Sequence, residues 1–105
     1  MNGDAYMPYD RAMLERLLDT IPRGRVTTHG ILARALGTRP RAVAPAVCHS
    51  QSAGRIRVVL QGGKLPHQDD LDDCRDRARQ LEAEGIPVSD DRRRVLVTEA
   101  EMWTP

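Results

Sequence analysis

The fold is decided by residues 21–43, which read IPRGRVTTHGILARALGTRPRAV. Thr28 is a favourable N-cap for a helix that ends at Gly37. The apolar side chains of this helix recur at helical spacing and are Ile31, Leu32, Ala35 and Leu36. Pro40 suits the first turn of a following helix, which Pro45 is expected to kink or shorten. Two short helices joined by a turn with glycine predict a helix-turn-helix, whose second helix enters a groove of DNA.

A longer helix is predicted on each side of this motif. The first has Asp10 as N-cap and stops before Pro22, and its apolar positions are Met13, Leu14, Leu17, Leu18 and Ile21. The last begins among acidic residues that complement a helix N-terminus, Asp69, Asp70, Asp72 and Asp73. It ends at Gly85 and carries an apolar stripe of Leu71, Cys74, Ala78 and Leu81.

Extended segments complete the predicted fold. Residues 25–27 and 55–60 are strand-like, and the second of these is followed by a Gly62-Gly63 turn. A strand pair after a helix-turn-helix makes a wing. Residues 86–88 and 95–97 are expected to pair as a hairpin. We therefore predict one domain over residues 1–105, of the α+β class, mainly helical, with winged-helix architecture.

Charge is strongly segregated along the chain. Residues 20–64 hold eight basic and no acidic side chains, whereas residues 1–19 and 65–105 carry net charges of −2 and −5. Such a field attracts a polyanion, of which the phosphate backbone of nucleic acid is the commonest. The alternative is drift in a chain that uses fifteen Arg and one Lys.

Length and cysteine content exclude several classes of protein. The chain of 105 residues suits one small domain, and Cys48 and Cys74 are too few for a multi-cysteine zinc site. No apolar run reaches the length of a membrane helix, and the N-terminus lacks the order of a signal peptide. The sequence predicts a cytoplasmic, nucleoid-associated monomer with free thiols, no metal and no cofactor.

Residues 21–37, followed by Arg41-Ala42-Val43, resemble the DNA-binding domain of the 6-O-alkylguanine-DNA alkyltransferases. Residues 81–88 and the closing Met102-Trp103-x-Pro105 are similar to the C-terminus of the alkyltransferase-like proteins, their non-enzymatic relatives. The resemblance implies a winged-helix domain that binds the minor groove and rotates a damaged guanine into a pocket. In the alkyltransferase-like proteins it further implies that the lesion is handed to nucleotide excision repair.

The resemblance also implies roles for individual residues. Arg41 matches the arginine finger that fills the gap left by the extruded base, although a solvated helix charge is the alternative. His29 stands where the family usually has the Tyr that helps turn the nucleotide. Thr27 and Thr28 can bond a phosphate through hydroxyl or backbone N–H. The full DNA-binding set is Thr27, Thr28, His29, Arg39, Arg41, Ala42 and Ala44.

The acceptor motif departs from that of the transferases. Gly54-Arg55-Ile56-Arg57 replaces Pro-Cys-His-Arg, so Arg55 occupies the acceptor position and Ile56 replaces the histidine. A guanidinium has no lone pair with which to attack, and Ile56 cannot act as a base. Alkyl transfer through this site is excluded. Arg55, Arg57 and Val58 are the predicted lesion-pocket residues.

We therefore predict that the chain is not an enzyme but a protein that binds double-stranded DNA containing modified guanine and signals to nucleotide excision repair proteins. Two alternatives stay open. The first is an active alkyltransferase using Cys48, beside His49, about seven residues before the acceptor position. The second is a winged-helix transcriptional regulator, which would prefer one undamaged sequence.

Overall fold

The computed structural model describes residues 8–66 and 71–105, with the backbone alone for residues 71–74. Its longer elements, in chain order, are α1 (Arg11–Thr20), β1 (Thr27–Thr28), α2 (His29–Leu36), α3 (Pro40–Cys48), β2 (Val58–Val59) and α4 (Leu71–Ala83). Short 3-10 helices cover Ala53–Arg57, Gln61–Gly63 and Glu99–Glu101. The described helices include none long and apolar enough to cross a membrane.

Helix α1 begins where the sequence predicts. The Asp10 carboxylate accepts hydrogen bonds from the backbone N–H groups of Ala12 (2.9 Å) and Met13 (3.3 Å), which satisfies two donors of the first turn. Leu14 and Leu18 are fully buried. Met13 is 41% exposed, so its assignment to the apolar face is wrong. Its position lies one helical step, about 100°, from the inward-facing Leu14.

Helices α2 and α3 form the predicted pair. Thr28 Oγ1 accepts from the Ile31 N–H at 3.0 Å, and Gly37 ends α2 in the left-handed conformation that glycine favours, with φ of 71°. Of the predicted apolar positions of α2, Ala35 is exposed, and Ala33, which was not predicted, is buried. The other predicted positions face the core as expected and are Ile31, Leu32 and Leu36.

Helix α3 starts with Pro40 at its first turn and runs through Pro45 to Cys48. The expected shortening at Pro45 is wrong. Pro45 lacks the N–H that would reach the Arg41 carbonyl, one turn back. Because Arg41 is an exposed residue, solvent can supply the missing donor, and the helix continues.

The strand predicted over residues 55–60 is confirmed only at Val58–Val59. Residues Ala53–Arg57 form a 3-10 helix instead, whose N-cap Ser52 accepts from the Gly54 N–H at 3.1 Å. Strand β2 pairs in parallel with β1, with Thr27 opposite Val58. The described residues after α3 therefore do not form the predicted wing of two consecutive strands.

The hairpin near the C-terminus is confirmed. Val88 and Val95 form an antiparallel bridge, and the Ser89 N–H donates to the Arg94 carbonyl at 2.9 Å. Trp103 then donates its backbone N–H to the Val26 carbonyl at 2.8 Å, which holds the tail against the strand region.

Two apolar clusters form the core. The first contains Leu14, Leu18, Ile21, Leu32, Ala33, Val43, Ala46, Val47 and Val58. The second contains Val26, Ile31, Val59, Leu65, Ala78, Leu81, Ile86, Val95 and Met102. Ala78 and Leu81 confirm two positions of the α4 stripe. Of the other predicted α4 residues, Asp69 and Asp70 lie outside the described residues, as do the side chains of Leu71, Asp72, Asp73 and Cys74.

Candidate nucleic-acid interface

An open groove of about 770 Å³ runs beside α2 and α3. Its helical wall includes Arg34, Arg41 and Ala44, and the facing wall includes Gln61 and Thr98. We call this surface the α3 groove. The wall opposite α3 is thus built by the segment that follows β2 and by the C-terminal segment.

A smaller cavity of about 440 Å³ adjoins the α3 groove and is mainly apolar. Its lining includes Ala44, Val47, Cys48, Arg55, Val58 and Arg77, and we call it the Arg55 cavity. Its volume lies in the usual range of small-molecule pockets, roughly 300–1,000 Å³. Of the three predicted lesion-pocket residues, Arg55 and Val58 line this cavity and Arg57 does not.

The groove and the cavity adjoin along α3. Arg41 and Ala44 line both spaces, and His29 and Leu60 do so from the opposite side. Arg41 is exposed, whereas Ala44 is half-buried. The predicted finger residue therefore lies at the boundary between the α3 groove and a smaller, mainly apolar space.

Arg57 has a structural role and does not line the Arg55 cavity. Its guanidinium donates to the Glu84 carboxylate through Nε (2.9 Å) and Nη2 (2.8 Å), and through Nη1 to the Ile21 carbonyl (3.1 Å). Glu84 also accepts from the Gly24 N–H at 3.0 Å. A 3-10 helix has three residues per turn, so positions 55 and 57 face different directions. Arg57 lines a polar cleft that adjoins the cavity at Cys48 and Arg55 but does not line the cavity itself.

Arg57 and Glu84 each shift the pKa of the other. The hydrogen bond from Arg57, followed by the bond from Gly24 and the charges of Arg57 and Arg23, holds the pKa of Glu84 below its ordinary value, against a smaller effect of burial. The hydrogen bond to Glu84 raises the pKa of Arg57. Both side chains are largely enclosed, at 15% and 5% exposure. We call this set of contacts among Arg57, Glu84, Gly24 and Ile21 the Arg57–Glu84 node.

The two threonines differ from expectation. Thr27 is fully buried, so its predicted phosphate contact is wrong. The residue lies in β1, opposite Val58, and the sheet covers it. Thr28 lines the α3 groove, but its hydroxyl oxygen is engaged as the N-cap of α2.

His29 is only 9% exposed, although it lines both the groove and the cavity. Burial, and then the charge of Arg77, lower the pKa of His29, while a hydrogen bond with the Val59 backbone partly offsets them. The ring is therefore neutral at pH 7. The β1–α2 junction encloses the side chain, which is the main cause of the lowered pKa.

The remaining predicted DNA-binding residues are Arg39 and Ala42. Arg39 is exposed and is the N-cap residue of α3. Ala42 is half-buried and lines neither the groove nor the cavity. Its carbonyl accepts a hydrogen bond from the Tyr9 hydroxyl at 3.2 Å, which attaches the segment before α1 to α3.

Sequence reasoning missed Arg77, which is 6% exposed and lines the Arg55 cavity. Its Nη1 donates to the Arg55 carbonyl at 3.2 Å. A signal was present, because Arg77 lies three residues after Cys74 and four before Leu81, on the predicted apolar stripe of α4. An arginine at such a position requires a polar partner or a polar cavity.

Neither a protein-family model nor a curated protein sequence matches the chain. The solved structures that match its fold include two of S. pombe proteins. One is S. pombe Atl1 in complex with damaged DNA containing O6-carboxymethylguanine, with a TM-score of 0.73 and 24% identity over 90% of this chain and 94% of that chain. The other is S. pombe ATL in complex with DNA, with a TM-score of 0.71 and 25% identity over the same shares. The chain thus has the fold of the alkyltransferase-like proteins.

Proposed function

We propose that this chain binds double-stranded DNA and recognises guanine modified at O6 without catalysing a reaction on it. The observation that carries the proposal is the place of Arg41, where the α3 groove meets the Arg55 cavity. In this proposal the groove receives the duplex from its minor-groove side, Arg41 fills the space of the extruded nucleotide, and the cavity receives the base. The two similar S. pombe structures contain DNA, one of them damaged DNA, which supports the same use of the fold.

Charge supports contact with the DNA backbone. Arg34 and Arg41 line the groove, and the exposed Arg39 lies at the start of α3. Residues 60–62, on the facing wall, would take the place of a wing. Contacts between arginine and phosphate release counterions, so binding should weaken severalfold or more between about 50 and 200 mM salt.

The absence of catalysis follows from the acceptor position. Arg55, whose position in the sequence matches the transferase cysteine, lines the Arg55 cavity, and Ile56 packs against the second core cluster. Neither side chain can attack an alkyl carbon. We further propose that the protein acts as a cytoplasmic, nucleoid-associated monomer and that it presents the lesion to nucleotide excision repair proteins.

A second candidate function is favoured by one observation: Cys48 lines the Arg55 cavity. Its thiolate sulfur would bond to the alkyl carbon as the bond between that carbon and guanine O6 breaks, leaving the electron pair on the base. Cys48 is the last residue of α3, however, and the negative end of a helix dipole disfavours a thiolate. Intact-mass measurement after incubation with O6-methylguanine DNA separates the two functions, because only transfer adds a stoichiometric methyl mass to the protein.

The proposed function is tested by fluorescence anisotropy on matched duplexes that contain either guanine or O6-methylguanine. The wild-type chain should prefer the modified duplex. The R41A variant should lose about 1–3 kcal/mol of binding free energy for it, as expected of a well-placed arginine contact. R79A is the matched control, because Arg79 is exposed on α4 and lines neither the groove nor the cavity.

The outcomes are distinct. Unchanged preference in R41A would overturn the finger assignment. Equal binding of both duplexes by the wild-type chain would overturn lesion recognition, and preference for a single undamaged sequence would establish the regulator alternative.

A further inference from the structure

The cavity has a cationic wall that the proposed function does not use. Arg55 is half-buried, and its guanidinium makes no hydrogen bond or ion pair with any residue that the structure describes. It lines the Arg55 cavity on one side and the polar cleft on the other. An unpaired guanidinium beside apolar walls is a strong potential donor for an anion, because arginine presents paired N–H groups in a planar fork.

Arg77 adds a second positive charge at the same wall. Its bond to the Arg55 carbonyl fixes the two residues side by side, and its charge is felt at His29, whose pKa it lowers. His29, which faces the cavity from α2, is neutral at pH 7 and adds no charge of its own. The cationic wall thus consists of Arg55 and Arg77, with Arg41 at the mouth.

No carboxylate lies among the described residues that line the cavity. The other walls are largely apolar and include Ala44, Pro45, Val47, Val58 and Leu60. Charges interact more strongly beside such walls than in open water. A negative group that enters the cavity would therefore meet the guanidinium of Arg55, with no acidic side chain of the described lining to compete with it.

We propose that the Arg55 cavity selects guanine whose O6 substituent carries a negative charge, such as a carboxylate. This inference rests on the proposed function and adds the chemical class of the adduct. A carboxylate can accept two parallel hydrogen bonds from Arg55, whereas a small alkyl group would remove water from the guanidinium and return no hydrogen bond. Neutral adducts of the same shape therefore bind less tightly.

The test uses three duplexes that differ at one base: guanine, O6-carboxymethylguanine, and the neutral isostere in which the carboxylate is a carboxamide. The two adducts match in size, so the comparison isolates charge. The wild-type chain should bind the carboxylate duplex about tenfold more tightly than the carboxamide duplex, the size of one charge-assisted hydrogen bond. R55M should lose most of this ratio, and R55K should keep part of it.

R34M is the matched control, because Arg34 lines the α3 groove and not the cavity. It should weaken binding of both adducts equally and leave their ratio unchanged. Equal binding of the two adducts by the wild-type chain, with both preferred over guanine, overturns the charge selection and leaves the proposed function standing. Binding of neither adduct in preference to guanine overturns the proposed function itself. A ratio unchanged in R55M overturns the assignment to Arg55.

Discussion

Arg55 and Arg57 are two residues apart and have opposite environments. In the Arg57–Glu84 node, one guanidinium is fixed by a carboxylate and a backbone carbonyl, and it joins the end of α1 to the end of α4. In the Arg55 cavity, the other guanidinium borders a ligand-sized space. Residue type and place in a motif therefore do not distinguish a structural arginine from one available to a ligand. The partners that tertiary folding supplies make the distinction.

The local backbone creates this difference. Ser52 caps the 3-10 helix, and Gly54 packs so closely against α1 that an added Cβ would overlap the Leu18 carbonyl oxygen. That close approach anchors the start of the helix. Residues 55 and 57 then emerge on different faces, one toward the cavity and one toward Glu84.

Breaking the node should produce the largest loss of stability. We expect R57M to lower the free energy of unfolding by about 3–5 kcal/mol, because it leaves the enclosed Glu84 carboxylate without its main partner. R55M should change stability by less than about 0.5 kcal/mol, since no contact of that guanidinium is lost among the described residues. Urea denaturation of the two variants measures the contrast.

The double variant R57M/E84M refines this expectation. Removing both charges together should recover part of the stability that R57M loses, because no enclosed charge is then left unpaired. Equal stability losses in R57M and R55M would contradict the division between node and cavity.

A side chain added at Gly54, where the backbone lies close to α1, should lower the stability by less than R57M does. We expect G54A to lower the free energy of unfolding by about 1–3 kcal/mol, as overpacking against backbone does. G30A is the control, because a Cβ at Gly30 would meet Thr28 Oγ1 at an ordinary 3.6 Å. Thermal unfolding compares the two. A G54A variant as stable as G30A would show that the close contact does not anchor the 3-10 helix.

The Arg55 cavity, through His29, and the Arg57–Glu84 node should also lose stability in different pH ranges. These losses should be smaller than those caused by R57M and by G54A. The pKa of His29 is lowered on folding, so the unfolded chain binds the extra proton first, and stability falls as pH drops below the ordinary histidine value of about 6.5. The pKa of Glu84 is also lowered, so its contribution is complete above about 4.3, the ordinary glutamate value, and is lost as pH falls further.

Urea midpoints measured across pH separate these windows. H29N should flatten the curve between about pH 7 and 5.5, and E84Q should flatten it only below about pH 4.5. A pH dependence near 6.5 that persists in H29N would contradict the enclosure of His29.

The local features were the most predictable from sequence. Asp10, Thr28, Gly37 and Pro40 act as caps or helix starts through bonds within a few residues, and each is found at its predicted position. The site was predictable in part. Arg41 and Ala44 lie together at the groove because both belong to one helix, whose periodicity the sequence displays.

Other assignments depended on residues far apart in the chain. The pairing of Arg57 with Glu84 was not predicted because the two residues are 27 apart in the chain, and Thr27 is covered by a strand more than 25 residues later. Arg77 reaches the cavity wall only through the packing of α4 against the 3-10 helix.

The sequence by itself determined where α1 and α2 begin and end and where α3 begins, the basic central segment, and the loss of a nucleophile at position 55. Each of these depends on covalent chemistry or on hydrogen bonds between near neighbours. Only the tertiary structure decided that Arg57 is neutralised, that His29 is enclosed, and that Arg55 and Arg77 share a cavity. Burial and ion pairing are set by distant segments brought together on folding, and no spacing along the chain encodes those distances.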